Sequence, residues 1–268
     1  MSVSSKARRA ALDILRAMHT QLDKQVALVT GASKGIGRAI AIAYGQEHAK
    51  VAITYREARG EAEETAKLVR DAGGDALVVP FALEDPATAE RAVKSVIDAW
   101  GSLNVLVNNA VQWPNGFQTI EELTFEEFTR TAHANMDGTF AMIKAAVPRL
   151  KKAAWGRIVT ITTGLVEDGF PGAMAYVTGK SALHGLHRVL AKELGPSGIL
   201  TNVLMAGAVD TRPRPPEFLQ KLRTSAVTGR LTEADEVARA TVFLGSPANG
   251  HISGAAIRCD GFYVSPHK

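Results

Sequence analysis

The sequence predicts one α/β domain, a doubly wound parallel sheet with helices on both faces. Three observations lead there. From Gln25 onward, short and continuously apolar runs alternate with helix-length segments. A strand apolar throughout is buried on both faces, which is the situation of a parallel sheet covered on two sides. A glycine cluster, Gly31, Gly35 and Gly37, directly follows the first apolar run. No repeat, low-complexity linker or composition break divides the chain.

The elements follow in order. Val26–Thr30 (VALVT) reads as a strand and Arg38–Glu47 as a helix. Lys50–Tyr55 is a strand, and AEETAKLVRDAG a helix that Gly73 ends. Asp75–Phe81 is a strand, ATAERAVKSVIDAWG a helix and Leu103–Ala110 a strand. A helix over Phe125–Leu150 precedes strand Arg157–Thr163, and a helix from about Ala175 to Leu194 precedes strand Ile199–Met205. After a loop, ADEVARATVFLG is a helix and Ala255–Asp260 the last strand. The proline- and arginine-rich stretch from Thr211 to Arg223 reads as a lid. In such sheets ligands bind beyond the carboxyl ends of the strands.

Bulk properties agree. The chain has 268 residues, 46% of them hydrophobic, enough for one large core. A net charge of +4 is too mild and dispersed to indicate nucleic acid. One cysteine, Cys259, excludes an intrachain disulfide, fits a reducing compartment and points to the cytoplasm. No apolar run reaches the roughly 18 residues of a membrane span. Residues 1–24 stand apart as an N-terminal amphipathic helical extension, with Ala11, Ile14, Leu15, Met18 and Leu22 at helical spacing among basic residues. It suits packing on the domain or on a partner subunit, with a membrane surface as the rival. Residues 25–268 form the domain proper.

The turn TGASKGIG is where a dinucleotide would sit. Glycines there permit a tight turn and close backbone approach, and the following helix offers free N–H groups to a pyrophosphate. The spacing is G-x3-G-x-G. The second strand ends in Thr54-Tyr55-Arg56, without the carboxylate that would hold a ribose 2′-hydroxyl. Arg56, with Lys34 as a second cation, suits a 2′-phosphate instead, and NADP(H) is the expected cofactor.

In YVTGK, Tyr176 and Lys180 lie four apart and share a helix face. A free phenol titrates near pH 10, and a neighbouring ammonium favours its ionised form, bringing it toward a useful acid/base range. Read alone, the pair favours a core tyrosine beside a lysine whose stem is buried and whose head reaches solvent. The ordered set of motifs decides otherwise: TGASKGIG, NNA at Asn108–Ala110, AN at Ala134–Asn135, TT at Thr162–Thr163, YVTGK, AGAVDT at Ala206–Thr211 and DGF near the end.

That set resembles the short-chain dehydrogenase/reductase family, in particular its 3-oxoacyl-(acyl-carrier-protein) reductase-like branch, over roughly Gln25 to Phe262. The resemblance implies a Rossmann-type fold and NADPH-dependent reduction of a carbonyl to the alcohol. The substrate would be a ketone or a 3-oxoacyl group, free or on a carrier protein. It implies catalytic roles for Asn135, Thr163, Tyr176 and Lys180, with threonine at a position where serine is usual. The implied cofactor positions are Gly31, Ser33, Lys34, Gly35, Ile36, Gly37, Tyr55, Arg56, Leu83, Asn109, Ala110, Gly207, Val209 and Thr211, with Tyr176 and Lys180. Asn109 is expected near the adenosine ribose and Asn135 is expected to hold a relay water. Ala82, Val111 and Ala206 depart from the family pattern. Trp113, Leu165, Phe170, Met205 and Phe218 are expected to line an apolar substrate pocket. A homotetramer or homodimer is implied. An enoyl reductase of the same family and a catalytically silent NADP-binding sensor are the alternatives; the short Tyr-to-Lys spacing speaks against the first and the intact phenol against the second. His133, His184 and His187 match no metal-ligand pattern.

Overall fold

The computed structural model describes residues 20–211 and 215–261. Seven strands form one wholly parallel sheet: β1 (Val26–Val29), β2 (Lys50–Tyr55), β3 (Asp75–Pro80), β4 (Val105–Asn108), β5 (Gly156–Thr163), β6 (Ile199–Ala206) and β7 (Ala256–Cys259). Their order is β3-β2-β1-β4-β5-β6-β7. The helices are α1 (Gly35–Gln46), α2 (Arg59–Asp71), α3 (Ala87–Trp100), α4 (Phe125–Leu150), α5 (Met174–Leu194), α6 (Pro216–Ser225) and α7 (Ala234–Leu244). The chain reverses direction across the sheet between β1 and β4, which opens a crevice at their carboxyl ends.

The continuous apolar runs are explained by two core layers. Neighbouring residues of a strand point to opposite faces. Val29 and Val107 join Ile40, Val69 and Val237 beneath α1, α2 and α7. Leu28 and Leu106 join Val93, Met142 and Leu194 beneath α3, α4 and α5. All of β1, β4 and β5 is buried.

The layer under α5 also holds a polar seam. His187 Nε2 meets Thr160 Oγ1 at 2.7 Å, and its Nδ1 meets Thr201 Oγ1. Asn108 Nδ2 donates to the same Thr160 oxygen at 3.1 Å. His184 Nε2 meets Thr162 Oγ1 at 3.1 Å. Burial, reinforced by the neighbouring His184, pushes His187 down to about 3, so it is neutral.

Several sequence expectations need correction. Leu22 was assigned to the extension, but it is buried in the first core layer, and Lys24 N donates to His48 O at 3.0 Å. Helical spacing ran on through a residue that belongs to a turn leading into β1, so the domain takes in residues before Gln25. The rest of the extension, residues 1–19, lies outside the described residues. The expected lid contains a helix, α6, with proline at its start, where a missing N–H costs nothing. Residues 212–214 of the lid lie outside the described residues. α1 begins at Gly35, inside the glycine turn. Met205 is 1% exposed in the middle of the sheet and does not line an open rim. Cys259 is a free, half-buried thiol. No helix among the described residues is long and apolar enough to cross a membrane. Among the described residues no group of His, Cys, Asp and Glu is arranged to hold a metal.

Candidate active site

The glycine turn is held from several directions. Gly31 has φ +61°, and a Cβ there would lie 2.8 Å from Ala110 Cα. A Cβ at Gly37 would lie 2.4 Å from Gly31 O and 2.5 Å from Asn109 Nδ2. Gly31 N donates to Thr54 Oγ1 at 3.0 Å. Asn109 donates both amide hydrogens, to Thr30 O and Gly31 O, each at 3.0 Å. Thr30 Oγ1 accepts from the backbone N–H of Asn109 and Ala110. Arg38 grips the Ser33 carbonyl with Nε and Nη2, at 3.1 and 2.8 Å. The side chain of Asn109 therefore splints the end of β1 to the end of β4.

A cleft of about 260 Å³ opens in front of this turn, lined by Gly31, Ser33, Lys34, Tyr55, Arg56, Leu83, Glu84, Ala110 and Gln112 among others. The first-turn N–H groups of α1 have no partners within the helix, and that turn contains no acid. They and the helix dipole suit a phosphate group. Thr211 sits across from Gly35, where a Cβ would be 3.5 Å from Thr211 Cβ. A glycine cradle and a helix N-terminus fit a dinucleotide, and the cleft mouth sets two cations, Lys34 and Arg56, beside two carboxylates, Glu57 and Glu84. Arg56 stands at that mouth, paired with Glu57 at 3.2 Å and Glu84 at 3.4 Å and donating to Gln112 Oε1 at 3.2 Å. Lys34 is exposed and pairs with Glu61 at 3.7 Å.

At the other end of the crevice, α5 carries Tyr176 and Lys180 on its buried face. Lys180 Nζ donates to Ile161 O at 3.1 Å, and burial lowers its pKa to about 8. It is therefore protonated at pH 7. Thr163 ends β5, and its Oγ1 accepts from Leu165 N at 3.3 Å. A hydroxyl that accepts there still has its hydrogen to donate elsewhere. Thr162, one residue earlier, bonds to His184, so the two threonines serve different surroundings.

Asn135 is fully buried in α4. Its amide donates to Gln112 O at 2.8 Å and Thr131 O at 2.9 Å, while Oδ1 accepts from Gln112 N at 3.2 Å. It thus fixes the loop after β4, and Oδ1 keeps a second lone pair for another donor. That loop lays the Trp113 indole on the Tyr176 ring, centroids 4.6 Å apart and planes 22° from parallel. Phe117 and Phe170 form a tilted pair at 5.2 Å. Leu165 and Phe218 are each partly exposed. Gly207 packs on Asp260, and Val209 bridges to Thr232.

Sequence reasoning missed an ion-pair cluster behind Thr163. Arg258 Nη2 lies 2.6 Å from Asp260 Oδ2 and 2.7 Å from Asp168 Oδ2, and Nη1 lies 3.0 Å from Glu167 Oε2. Asp168, and after it Asp260, raise the guanidinium pKa. The cluster ties the end of β7 to the helical turn Leu165–Asp168 that follows Thr163. Thr30, Thr54, Arg38 and Gln112 were also missed as supports. Thr30 directly follows β1 and Thr54 is the last residue but one of β2, a hydroxyl near the end of each apolar run being the one signal available.

Comparisons with known proteins follow this geometry. A family model described as "Enoyl-(Acyl carrier protein) reductase" matches residues 31–263. A chloroplastic NADPH-dependent aldehyde reductase-like protein of Arabidopsis thaliana is 33% identical over 258 residues, covering 90% of this chain and 94% of its own. A 3-oxoacyl-[acyl-carrier-protein] reductase of Staphylococcus aureus is 30% identical over 239 residues, covering 88% of this chain and 96% of its own. The crystal structure of a dehydrogenase/reductase from Sinorhizobium meliloti 1021 superposes with a TM-score of 0.87 at 33% identity, covering 92% of this chain and 98% of that one.

Proposed function

The chain belongs to the short-chain dehydrogenase/reductase family and is an oxidoreductase, and from that premise we propose that it reduces a carbonyl to the alcohol with NADPH. The observation that carries this reading is the buried pair on α5: Tyr176 and the cationic Lys180, the latter anchored to the end of β5 two residues from Thr163.

The residues divide the work as follows. The α1 N-terminus and the backbone at Ser33, Gly35, Ile36 and Gly37 would hold the pyrophosphate. Arg56 would meet the 2′-phosphate, with Lys34 and Tyr55 beside it. Leu83 and Ala110 would bound the adenosine end, and Gly207, Val209 and Thr211 the nicotinamide end. When bound, the nicotinamide supplies the hydride for the carbonyl carbon. Thr163 donates its O–H to the carbonyl oxygen and fixes its direction. Tyr176 gives that oxygen a proton as negative charge develops there. Lys180 holds a positive charge close by, which favours the tyrosine's loss of the proton. Asn135 Oδ1 would accept from a water leading from Lys180 toward solvent. The reading includes a homotetramer or homodimer and a cytoplasmic location, which rest on the family resemblance and the lone cysteine.

Support for NADPH comes from Arg56 at the cleft mouth and from the NADPH-dependent Arabidopsis relative. A second reading, reduction of an enoyl thioester, is favoured by the description of the matching family model. One experiment separates the two. NADPH oxidation is measured with simple ketones, 3-oxoacyl thioesters and enoyl thioesters, for the native chain and for Tyr176→Phe. Turnover of a carbonyl that drops at least a hundredfold in the phenylalanine variant is expected. Turnover confined to enoyl thioesters, or full activity without the phenol, would reject the carbonyl reading.

A further inference from the structure

Resting on the carbonyl-reductase reading, we propose that Trp113 is a specificity-determining residue, selecting substrates with a flat, conjugated group beside the carbonyl. Its indole lies against the ring of Tyr176, and the two residues differ sharply in exposure: 5% for the tyrosine and 41% for the tryptophan. The phenol ring is covered by an aromatic plate that itself stays 41% exposed. A carbonyl that reaches the tyrosine oxygen must bring its neighbouring group along that plate. A flat π-system can lie offset on the indole, whereas a puckered or branched group holds the two apart.

The plate is firmly held. Asn135 pins both the N–H and the C=O of Gln112, the residue before it. The Gln112 side chain donates to Trp113 O at 3.2 Å and accepts from Arg56. Further along the loop, Gln118 N donates to Gly172 O at 3.2 Å, and Phe117 packs on Phe170. A loop tied to α4 and to the segment before α5 resists the displacement that a thick substrate would need.

The test uses the full chain with NADPH and two ketones of equal carbon count, acetophenone and cyclohexyl methyl ketone. The ratio of their kcat/KM values is compared between the native chain and Trp113→Leu, so that intrinsic carbonyl reactivity cancels. The ratio should fall roughly fivefold toward the puckered ketone, mainly through a higher KM for acetophenone. Trp113→Phe should keep most of the native ratio. If Trp113→Leu fails to fold, Trp113→Gln replaces it, with folding checked by circular dichroism. An active variant whose ratio stays within about twofold of native overturns this inference alone. A native chain inactive on every carbonyl overturns the reading it rests on, and this inference with it.

Discussion

The ammonium of Lys180 donates to the carbonyl of Ile161 at 3.1 Å while 97% shielded from solvent by the fold around it, its own exposure being 3%. Burial depresses its pKa from 10.5 to about 8. The folded state therefore resists the proton below pH 10.5, and that cost is fully present below pH 8. Lys180→Met should stabilise the cofactor-free protein at pH 7 by on the order of 2 kcal/mol while abolishing turnover. Urea unfolding at pH 7 checks this; a less stable methionine variant would contradict it.

Arg56 bonds to Glu57, Glu84 and Gln112, and a 2′-phosphate would draw it away from these partners. Arg56→Ala should weaken NADPH binding about tenfold and leave NADH binding within about threefold. Fluorescence titration with both cofactors reads the difference, and equal weakening would remove the residue from phosphate recognition.

Gly37 cannot gain a side chain without moving Gly31 or the Asn109 amide. Gly37→Ala should cost roughly 1–3 kcal/mol of stability and at least tenfold in dinucleotide affinity. Calorimetric titration together with denaturant melts tests both, and native-like binding would show that the turn yields more easily than its contacts imply.

His187 titrates near 6.5 when unfolded and near 3 in the fold. Between those values the unfolded chain takes up the proton and the folded chain does not, so stability falls as the pH falls through that window. His187→Gln, which can still bond Thr160, should flatten this acid limb. At pH 5 the native chain should lose about 2 kcal/mol more than the variant, relative to pH 7. Parallel melts with the same slope in both proteins would exclude His187 as the source.

Thr163 keeps its hydrogen for donation because its oxygen accepts from Leu165. Thr163→Ser should retain turnover within about tenfold, and Thr163→Val, of similar shape without the hydroxyl, should lose about a hundredfold or more. An active valine variant would return the orienting role to another group.

The alternation of strands and helices was legible because burial on both faces leaves a plain apolar signature, as in VALV of β1 and VLVN of β4. The glycine turn and the Tyr176–Lys180 pair were legible because their spacing is local. Leu22 was misplaced because amphipathic spacing does not reveal where a helix pattern gives way to a turn. Met205 was placed on the rim because a strand's last residues look alike whether a neighbouring strand covers them or not; β7 does, pairing Met205 with Arg258. The Arg258–Glu167 pair joins residues 91 positions apart, and no local pattern announces it. The Trp113–Tyr176 stack likewise depends on where a loop is pinned, which is decided by Asn135 and not by the loop's own residues.

The glycine turn acquires its shape from Thr30, Thr54, Arg38 and Asn109, all of them groups of the chain itself. The entropy of ordering that loop is therefore lost during folding and not at ligand capture. Association becomes docking onto a finished surface, with its speed governed by diffusion and charge. Affinity for the ligand is thereby linked to the groups that shape the turn: loosening any one of these four supports should raise the dissociation constant.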